Sequence, residues 1–345
     1  MRVPSRFSAV WILAALLAPI AARAVVLPDR FQETAAITGL ANPTAVRFAA
    51  NGQVFVAEKS GMVYVYDGIA DTTPTTVVDL RTEVHNFWDR GLLGLAIDPQ
   101  FPTRPYLYVL YTHDVKLDGT TPRWGAPNGT SDPCPTPPGP TADGCVVNGK
   151  LSRIDVNPVT MAGVEVQLLQ GRWCQQYPSH STGDLAFGTD GMLYATSGDG
   201  ASFNFVDWGQ DGNPVNPCND PGGPAPSPPS AEGGALRSQD ILTGGDPLAL
   251  SGSVLRIDVS NPAAGAQVPL DNPLVGNAST EDDFVIAHGL RNPFRIANRP
   301  GTNELWISEV GWNDWEEIDR ITDPTDAVIE NFGWPCFWLA PFAPS

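Results

Sequence analysis

The hydrophobic pattern of this chain predicts short β-strands joined by tight turns. Four segments share an apolar strand, a tight turn and an alternating aromatic strand: Thr44–Ala57, Leu92–Tyr111, Asp184–Thr196 and Phe294–Ser308. Asn51-Gly52, Asp190-Gly191 and Pro300-Gly301 lie in turns of these segments, and such dipeptides favour β-hairpins. Because the sequence lacks sustained helical periodicity, the pattern predicts an all-β protein built on four hairpins.

A further strand follows each hairpin, so the pattern is a repeat. These third strands are Met62–Asp67, Lys150–Val156, Ser253–Val259 and Glu316–Ile321. Repeated small antiparallel sheets indicate the blades of a β-propeller, with a β-sandwich as the competing interpretation. The recurrence of the third strand favours a propeller, of which about four blades are present. Pro/Gly-rich stretches near 115–148 and 207–249 interrupt the repeat and are expected to be surface loops.

The first 24 residues have the pattern of a secretory signal peptide. Arg2 and Arg6 precede an apolar run from Ala9 to Ala18, and Ala22-Arg23-Ala24 provides a small-residue cleavage pattern. This run is too short for a bilayer, which needs about 20 apolar residues, and no later stretch is long enough. We therefore expect cleavage after about Ala24, export to the periplasm or the exterior, and a partial propeller over residues 25–345.

Charge and cysteine content change this picture in two ways. The formal charge of −18 repels nucleic-acid phosphates and anionic lipid. The acidity suits Ca²⁺ binding, although a role in solubility alone explains it equally well. Disulfides are expected in an exported chain, so we predict the pairs Cys134–Cys145 and Cys174–Cys218. Cys336 is then left over, which points to a partner elsewhere.

Hairpin geometry brings candidate chemical groups together. Residues equidistant from a turn lie opposite one another across the two strands. His180 and Asp199 are equidistant from the third turn, and Arg291 and Glu309 from the fourth, so each pair is predicted to meet at the open end of its hairpin. In a propeller these open ends share one face. A His beside an Asp can act as a general base, and a hydrogen-bonded pair that ties a blade corner is the competing role.

The same geometry places other residues near this face. His113 is expected near Arg90 and Gly91, and Asn42 near Glu58. The dinucleotide, Walker, HExxH and GxSxG motifs do not occur in the sequence, and the cysteines lack zinc-site spacing.

Six motifs then follow one another along the chain. They are RGLLGLAIDPQF (90–101), HSTGDLAFGTDGMLYATSGDGA (180–201), GSVLRIDV (252–259), HGLRNPFRIA (288–297), EVGWNDWEEIDRI (309–321) and NFGWP (331–335). Together, and in this order, they resemble the glucose/sorbosone dehydrogenase family. That family comprises soluble aldose sugar dehydrogenases that use pyrroloquinoline quinone (PQQ) on a six-bladed propeller, so the resemblance implies the same fold and cofactor here.

The resemblance also implies a role for each matching residue. His180 matches the catalytic histidine that takes the proton of the anomeric hydroxyl, and Asp199 matches the acid that supports it. Arg291 matches the residue that polarises the reactive carbonyl of the quinone. Further contacts to the cofactor are implied for Asn292, Asp89 and Arg90.

The resemblance also implies two Ca²⁺ sites, and the sequence departs from the family at two positions. Gly311 and Trp312 match positions whose backbone carbonyls hold the catalytic Ca²⁺, and Glu317 matches a ligand of a separate structural Ca²⁺. Asp89 stands where better-studied members of the family have a Gln near the cofactor, and Asp184 replaces a basic residue after the HxxG segment. The family's later blades supply Lys and Arg residues that clamp the quinone carboxylates, so a fragment, or a truncated and inactive copy, is expected.

These observations predict an exported oxidoreductase, dependent on PQQ and Ca²⁺, that oxidises aldose sugars to lactones. Its electrons pass to an external acceptor. The alternative is a non-catalytic propeller module that binds carbohydrate or protein. A third hypothesis, a Ca²⁺-dependent hydrolase on a similar ring, requires Asp, Asn and Glu side chains as metal ligands. The sequence specifies neither the sugar nor the oligomeric state.

Overall fold

The computed structural model describes most of the chain between residues 27 and 336. The described residues are 27–115, 121–134, 146–203, 207, 209, 218, 233–242, 248–277, 279–280, 282–312 and 315–336. The chain divides into two compact units, Met1–Ala36 and Ile37–Ser345. The described part of the first unit, 27–36, contains neither helix nor strand. The predicted signal peptide lies outside the described residues.

The described residues of the second unit form four β-sheets, which we number as blades in chain order. Blade 1 contains β1 (Pro43–Phe48), β2 (Val54–Glu58), β3 (Met62–Tyr66) and β4 (Thr75–Asp79). Blade 2 contains β5 (Leu92–Ile97), β6 (Tyr106–His113), β7 (Val147–Val156) and β8 (Gly163–Gln175). Blade 3 contains β9 (Thr182–Phe187), β10 (Leu193–Ser197), β11 (Ser253–Ile257) and β12 (Val285–His288), with the short β16 (Glu330–Asn331) parallel to β12. Blade 4 contains β13 (Pro293–Asn298), β14 (Leu305–Glu309) and β15 (Glu317–Ile321).

The sheets are arranged as propeller blades, so the predicted fold is confirmed. The first strands of successive blades are neighbours. Side chains link them, because the Thr44 hydroxyl donates to the Leu92 carbonyl at 2.6 Å and the Thr196 hydroxyl to the Pro293 carbonyl at 2.8 Å. Among the described residues, the one helix is a 3₁₀ helix at Gly234–Leu242, and no helix in that part of the chain is long and apolar enough to cross a membrane.

Strand register confirms the four predicted hairpins. At the open ends, Thr182 pairs with Ser197 and Pro293 with Glu309. The Lys59 N–H donates to the Asn42 carbonyl, beside Glu58 as predicted. Open ends of different blades therefore contribute their loops to one face, which we call the mouth.

Packing between blades explains why several strands lack strict alternation. All five residues of β2 and of β11 are buried. Neighbouring blades cover both faces of β11, whereas one face of β2 packs against blade 2 and the other against Ile37 and Leu40. Phe55 and Leu95 belong to the core shared by blades 1 and 2, whereas Leu110 and Leu185 belong to the core of blades 2 and 3. Each buried apolar side chain contributes about 1.5–3 kcal/mol to stability.

One predicted disulfide is present, between Cys174 and Cys218. Cys134 is also disulfide-bonded, and Cys145, its predicted partner, lies outside the described residues. Cys336 is free and exposed. The Cys174–Cys218 bridge fixes the segment just before His180, which leads into the mouth.

Candidate active site

The open end of the third hairpin brings His180 and Asp199 together. The ring Nδ1 of His180 lies 2.8 Å from Oδ1 of Asp199, which confirms the predicted contact. Both side chains are buried, with exposed fractions of 2% and 0%. The carboxylate therefore fixes the orientation of the imidazole, as in a general-base pair.

Three further groups surround the Asp199 carboxylate and its backbone. The Ala201 N–H donates to Oδ1 at 2.8 Å, and the indole N–H of Trp334 donates to Oδ2 at 2.7 Å. The Asp199 N–H donates to the Arg291 carbonyl at 2.9 Å. Burial alone would raise the pKa of Asp199, but the charge and hydrogen bond of His180 and the Ala201 N–H hold this pKa below its ordinary value. Asp199 is therefore a stable carboxylate that accepts a hydrogen bond from Nδ1 of His180.

The second ring nitrogen of His180 is left for a ligand. Nε2 is buried and has no hydrogen-bond partner among the described residues. His180 also has a φ of 47°, which lies in the left-handed region that non-glycine residues rarely adopt. Unsatisfied polar atoms and strained backbone occur together at functional sites, so the free nitrogen marks the reactive end of the ring.

Arg291 lies beside this pair at the start of blade 4. Its guanidinium lies 5.2 Å from the Trp312 ring and 5.6 Å from the Trp334 ring. Burial lowers the pKa of Arg291, and within the described part of the chain its buried Nε has no hydrogen-bond partner. The predicted contact with Glu309 is confirmed, but the backbone N–H of Arg291 makes it rather than the guanidinium.

One of the two carbonyls predicted to bind catalytic Ca²⁺, that of Gly311, already faces a positive charge. Arg291 Nη1 donates to the Val310 and Gly311 carbonyls at 2.9 and 3.0 Å. Such hard oxygen donors also suit Ca²⁺. Trp312 contributes its ring to the stack on Arg291, and its backbone follows Gly311 directly.

Glu317 lies apart from these carbonyls, on the first residue of β15. It is exposed and pairs with Glu309 of β14. Burial first, and then the Glu317 charge, raise the pKa of Asp319 to about 6. In the part of the chain that the structure describes, no group of three or more His, Cys, Asp and Glu side chains has metal-binding geometry.

The remaining predicted cofactor residues differ in their surroundings. Asp89 lies beside His180, because its carboxylate accepts the Ser179 hydroxyl at 3.2 Å and its carbonyl accepts the Ser181 hydroxyl at 3.0 Å. Arg90 is fully buried, and its Nη2 donates to two main-chain carbonyls, those of Gln175 and Tyr177.

Asn292 is buried next to Arg291, and its carbonyl accepts the Val310 N–H. Arg90 and Asn292 thus support the walls of the mouth through the main chain.

Asp184 lies close to two basic residues from other blades, Arg47 and Arg295. Asp184 forms a 2.7 Å ion pair with Arg47 of β1, and Arg295 of β13 lies close enough to act on its charge. These three side chains line a cavity of about 670 Å³ among the first strands. Burial raises the pKa of Asp184, and the two arginines oppose this shift. The departure from the motif therefore changes this cavity rather than the contacts of His180.

The sequence pattern does not predict two features of the site. Trp334 lies 135 positions from Asp199, and hairpin symmetry cannot connect residues so far apart. Trp88 and Phe203 form an exposed aromatic pair at the mouth. The position of Trp334 within the NFGWP motif was the one available signal for its contact.

Comparison with known proteins identifies the family. The family model described as Glucose / Sorbosone dehydrogenase matches residues 40–213 and 237–339. HIPL1 protein of Arabidopsis thaliana is 22% identical over 315 residues, which are 82% of this chain and 39% of HIPL1. Human Hedgehog-interacting protein is 25% identical, over 76% of this chain and 31% of its own length. Quinoprotein glucose dehydrogenase B of Acinetobacter calcoaceticus is 25% identical, over 89% of this chain and 53% of its own length.

The chain thus spans about a third to a half of the length of these relatives. Two solved structures share its fold. An oxidoreductase (glucose dehydrogenase) of Thermus thermophilus aligns with a TM-score of 0.59 and 23% identity, over 89% of this chain and 69% of that one. The PQQ-bound aldose sugar dehydrogenase of Streptomyces coelicolor aligns with a TM-score of 0.53 and 18% identity, over 88% and 65%. On the match of the family model, this chain belongs to the Glucose / Sorbosone dehydrogenase family.

Proposed function

We propose that the chain is the propeller part of an exported sugar dehydrogenase that depends on PQQ and Ca²⁺. It would oxidise the anomeric hydroxyl of an aldose to a lactone and pass the electrons to an external acceptor. The observation that carries the proposal is the buried His180–Asp199 pair, whose Nε2 has no hydrogen-bond partner among the described residues. The Asp199 N–H donates to the Arg291 carbonyl, and the Nε of Arg291 also has no partner in that part of the chain. Family membership and the quinoprotein relative support the reaction and the cofactor.

His180 acts as the general base in this proposal. Its Nε2 accepts the proton of the anomeric hydroxyl while the C1 hydrogen leaves with its electron pair, so the sugar loses two electrons and becomes a lactone. Asp199 stabilises the imidazolium that forms, and Ala201 and Trp334 keep the carboxylate in place. When bound, PQQ supplies the hydride acceptor and Ca²⁺ offsets its negative charge.

Arg291 provides the positive charge that faces the cofactor. Its Nε, which has no hydrogen-bond partner within the described part of the chain, fits an acceptor atom on a ligand, and a quinone carbonyl would supply that atom. Asn292 and Asp89 would complete the cofactor contacts, with Arg90 positioning the wall behind them. The Gly311 and Trp312 carbonyls would hold the catalytic Ca²⁺, and Glu317 the structural Ca²⁺.

Export is proposed from the sequence together with the disulfide. The signal-peptide pattern of residues 1–24 predicts secretion or periplasmic transfer. Disulfides such as Cys174–Cys218 persist in oxidising compartments.

Reconstitution of the purified chain tests the proposal. With PQQ, CaCl₂ and an aldose, it is expected to bleach an artificial electron acceptor, and His180→Ala is expected to abolish the bleaching while calorimetry still detects PQQ binding. Trp306→Ala, a change in blade 4, is the folded control. Absence of bleaching by the wild-type chain, with or without PQQ binding, would contradict the proposal.

A second candidate function is binding without catalysis. The similarity to Hedgehog-interacting protein favours it, because that relative is named for an interaction. Carbohydrate or protein partners would then occupy the propeller. Reconstitution separates the two candidates, since a binding module takes up its partner without any PQQ-dependent bleaching.

A further inference from the structure

Trp88 and Phe203 form an exposed aromatic pair at the mouth. Their ring centroids are 5.6 Å apart, and the planes make an angle of 57°. The exposed fractions are 44% and 40%. Phe87 packs behind Trp88 with its centroid at 5.8 Å. The pair therefore presents a supported apolar surface to solvent.

Hydrogen bonds place this pair beside the catalytic residues. Trp88 precedes Asp89, whose N–H donates to Pro178 at 3.1 Å and whose carbonyl and carboxylate accept the hydroxyls that flank His180. Phe203 follows Asp199 by four residues, within the segment that the Ala201 N–H ties to the carboxylate. The two aromatic side chains thus come from two loops, each attached to one member of the His180–Asp199 pair.

The backbone at Trp88 is strained. Its φ of 51° lies in the left-handed region, which is unfavourable for a bulky side chain. Gly91, three residues later, has a φ of 154°, and a Cβ there would lie 2.6 Å from the Lys59 carbonyl oxygen. A large aromatic residue therefore stands where Gly or Asn would relieve the strain. Such strain is typical of binding sites.

We propose that Trp88 and Phe203 form a stacking subsite for a pyranose ring next to His180. This inference rests on the proposed function, because it takes a sugar as the ligand. The electron-rich face of an aromatic ring attracts the polarised C–H groups on the apolar face of a pyranose. The sugar hydroxyls then point sideways, where the Asp89 carboxylate can accept their protons in hydrogen bonds. The subsite selects cyclic sugars over open-chain polyols, which lack a continuous apolar face.

A ligand that cannot react isolates binding from turnover. Methyl β-D-glucopyranoside has no free anomeric hydroxyl, so calorimetry and saturation-transfer NMR of the full chain without PQQ measure the subsite alone. Trp88→Ala and Phe203→Ala are each expected to weaken binding of the glucoside about tenfold, because each variant removes one of the two aromatic rings that contact the sugar. Trp306→Ala, which removes a 36% exposed indole from blade 4, is expected to leave binding unchanged. Sorbitol is expected to bind at least about tenfold more weakly than the glucoside.

Equal affinities of Trp88→Ala, Phe203→Ala and Trp306→Ala for the glucoside would overturn the subsite. Equal affinities of sorbitol and the glucoside, or no glucoside binding by the wild-type chain, would overturn it as well. Trp88-dependent glucoside binding in a chain that never bleaches the acceptor supports the subsite and contradicts the dehydrogenase proposal, so the two failures are distinguishable.

Discussion

Two histidine–carboxylate pairs of equal length lie in neighbouring blades. His180 Nδ1 to Asp199 Oδ1 and His113 Nε2 to Glu83 Oε2 are both 2.8 Å. Each ring keeps a second nitrogen that is buried without a hydrogen-bond partner among the described residues. The pairs use opposite ends of the ring, however. The outer nitrogen, Nε2, is bound to the carboxylate in His113 and is free in His180.

The residues around the two pairs also differ. Glu83 also accepts the Thr121 hydroxyl at 3.0 Å and lies 3.9 Å from Lys150 Nζ. A backbone bridge joins Val84 to His113. This network attaches the segment after β4 to blade 2, whereas Asp199 connects to Arg291 and Trp334. The His113–Glu83 contact therefore attaches one segment to blade 2, whereas the His180–Asp199 contact, at the same distance, is the one proposed to act in catalysis.

Replacement of each histidine gives the largest contrast. His180→Gln is expected to lower kcat by roughly 10²–10⁴-fold, because the amide of Gln cannot act as a general base. His113→Gln is expected to leave kcat within about twofold and to lower the free energy of unfolding by about 1–2 kcal/mol. Steady-state dye reduction and urea unfolding measure the two effects. Equal loss of kcat in both variants would contradict the assignment.

Replacement of the carboxylates comes next. Asp199→Asn offers an amide N–H to His180, which moves the ring proton to Nε2 and lowers kcat by roughly 10²–10³-fold. Glu83→Gln is the matched change in the other pair and is expected to alter kcat by less than about twofold. Dye reduction measures both. Retained activity in Asp199→Asn would show that the orientation of the ring proton does not matter.

Trp334→Phe is expected to have an intermediate effect. It removes the N–H donor to Asp199 and keeps an aromatic ring against Arg291. Loss of one hydrogen bond predicts a decrease in kcat of about tenfold, with KM little changed. Trp306→Phe is the control. A change in KM alone would assign Trp334 to ligand binding instead of positioning.

The smallest predicted effect is a difference in pH dependence. Burial raises the pKa of Asp114, beside His113, from 3.8 to about 7, while that of Asp199 is lowered. For Asp114 the folded state binds more protons, so this residue reduces stability progressively as the pH rises from about 4 to 7. For Asp199 the stabilisation is present above its ordinary pKa and is lost as the pH falls through the lowered value.

Urea unfolding between pH 4 and 8 checks the Asp114 prediction. The stability of Asp114→Asn relative to wild type is expected to increase across this window. A constant difference would show that Asp114 titrates normally.

Local geometry explains what the sequence could predict. Hairpin symmetry alone located the contacts of His180 with Asp199 and of Arg291 with Glu309, because strand register has a period of two. A register shift between Ala195 and Ser197 did not disturb the open end. The contact of Trp334 with Asp199 depends on how the chain after blade 4 packs against blade 3, and periodicity carries no such information. The same holds for the burial of Arg90 and for the opposite ring orientations of His113 and His180.

Nitrogen-15 NMR of the histidine rings tests the central assignment most directly. Assignment uses His180→Gln and His113→Gln, and the pH is set where the rings are neutral. We predict that the proton of His180 lies on Nδ1, toward Asp199, with a bare Nε2, and that the proton of His113 lies on Nε2, toward Glu83. A proton on Nε2 of His180, or the same tautomer in both rings, would contradict a general-base role for His180.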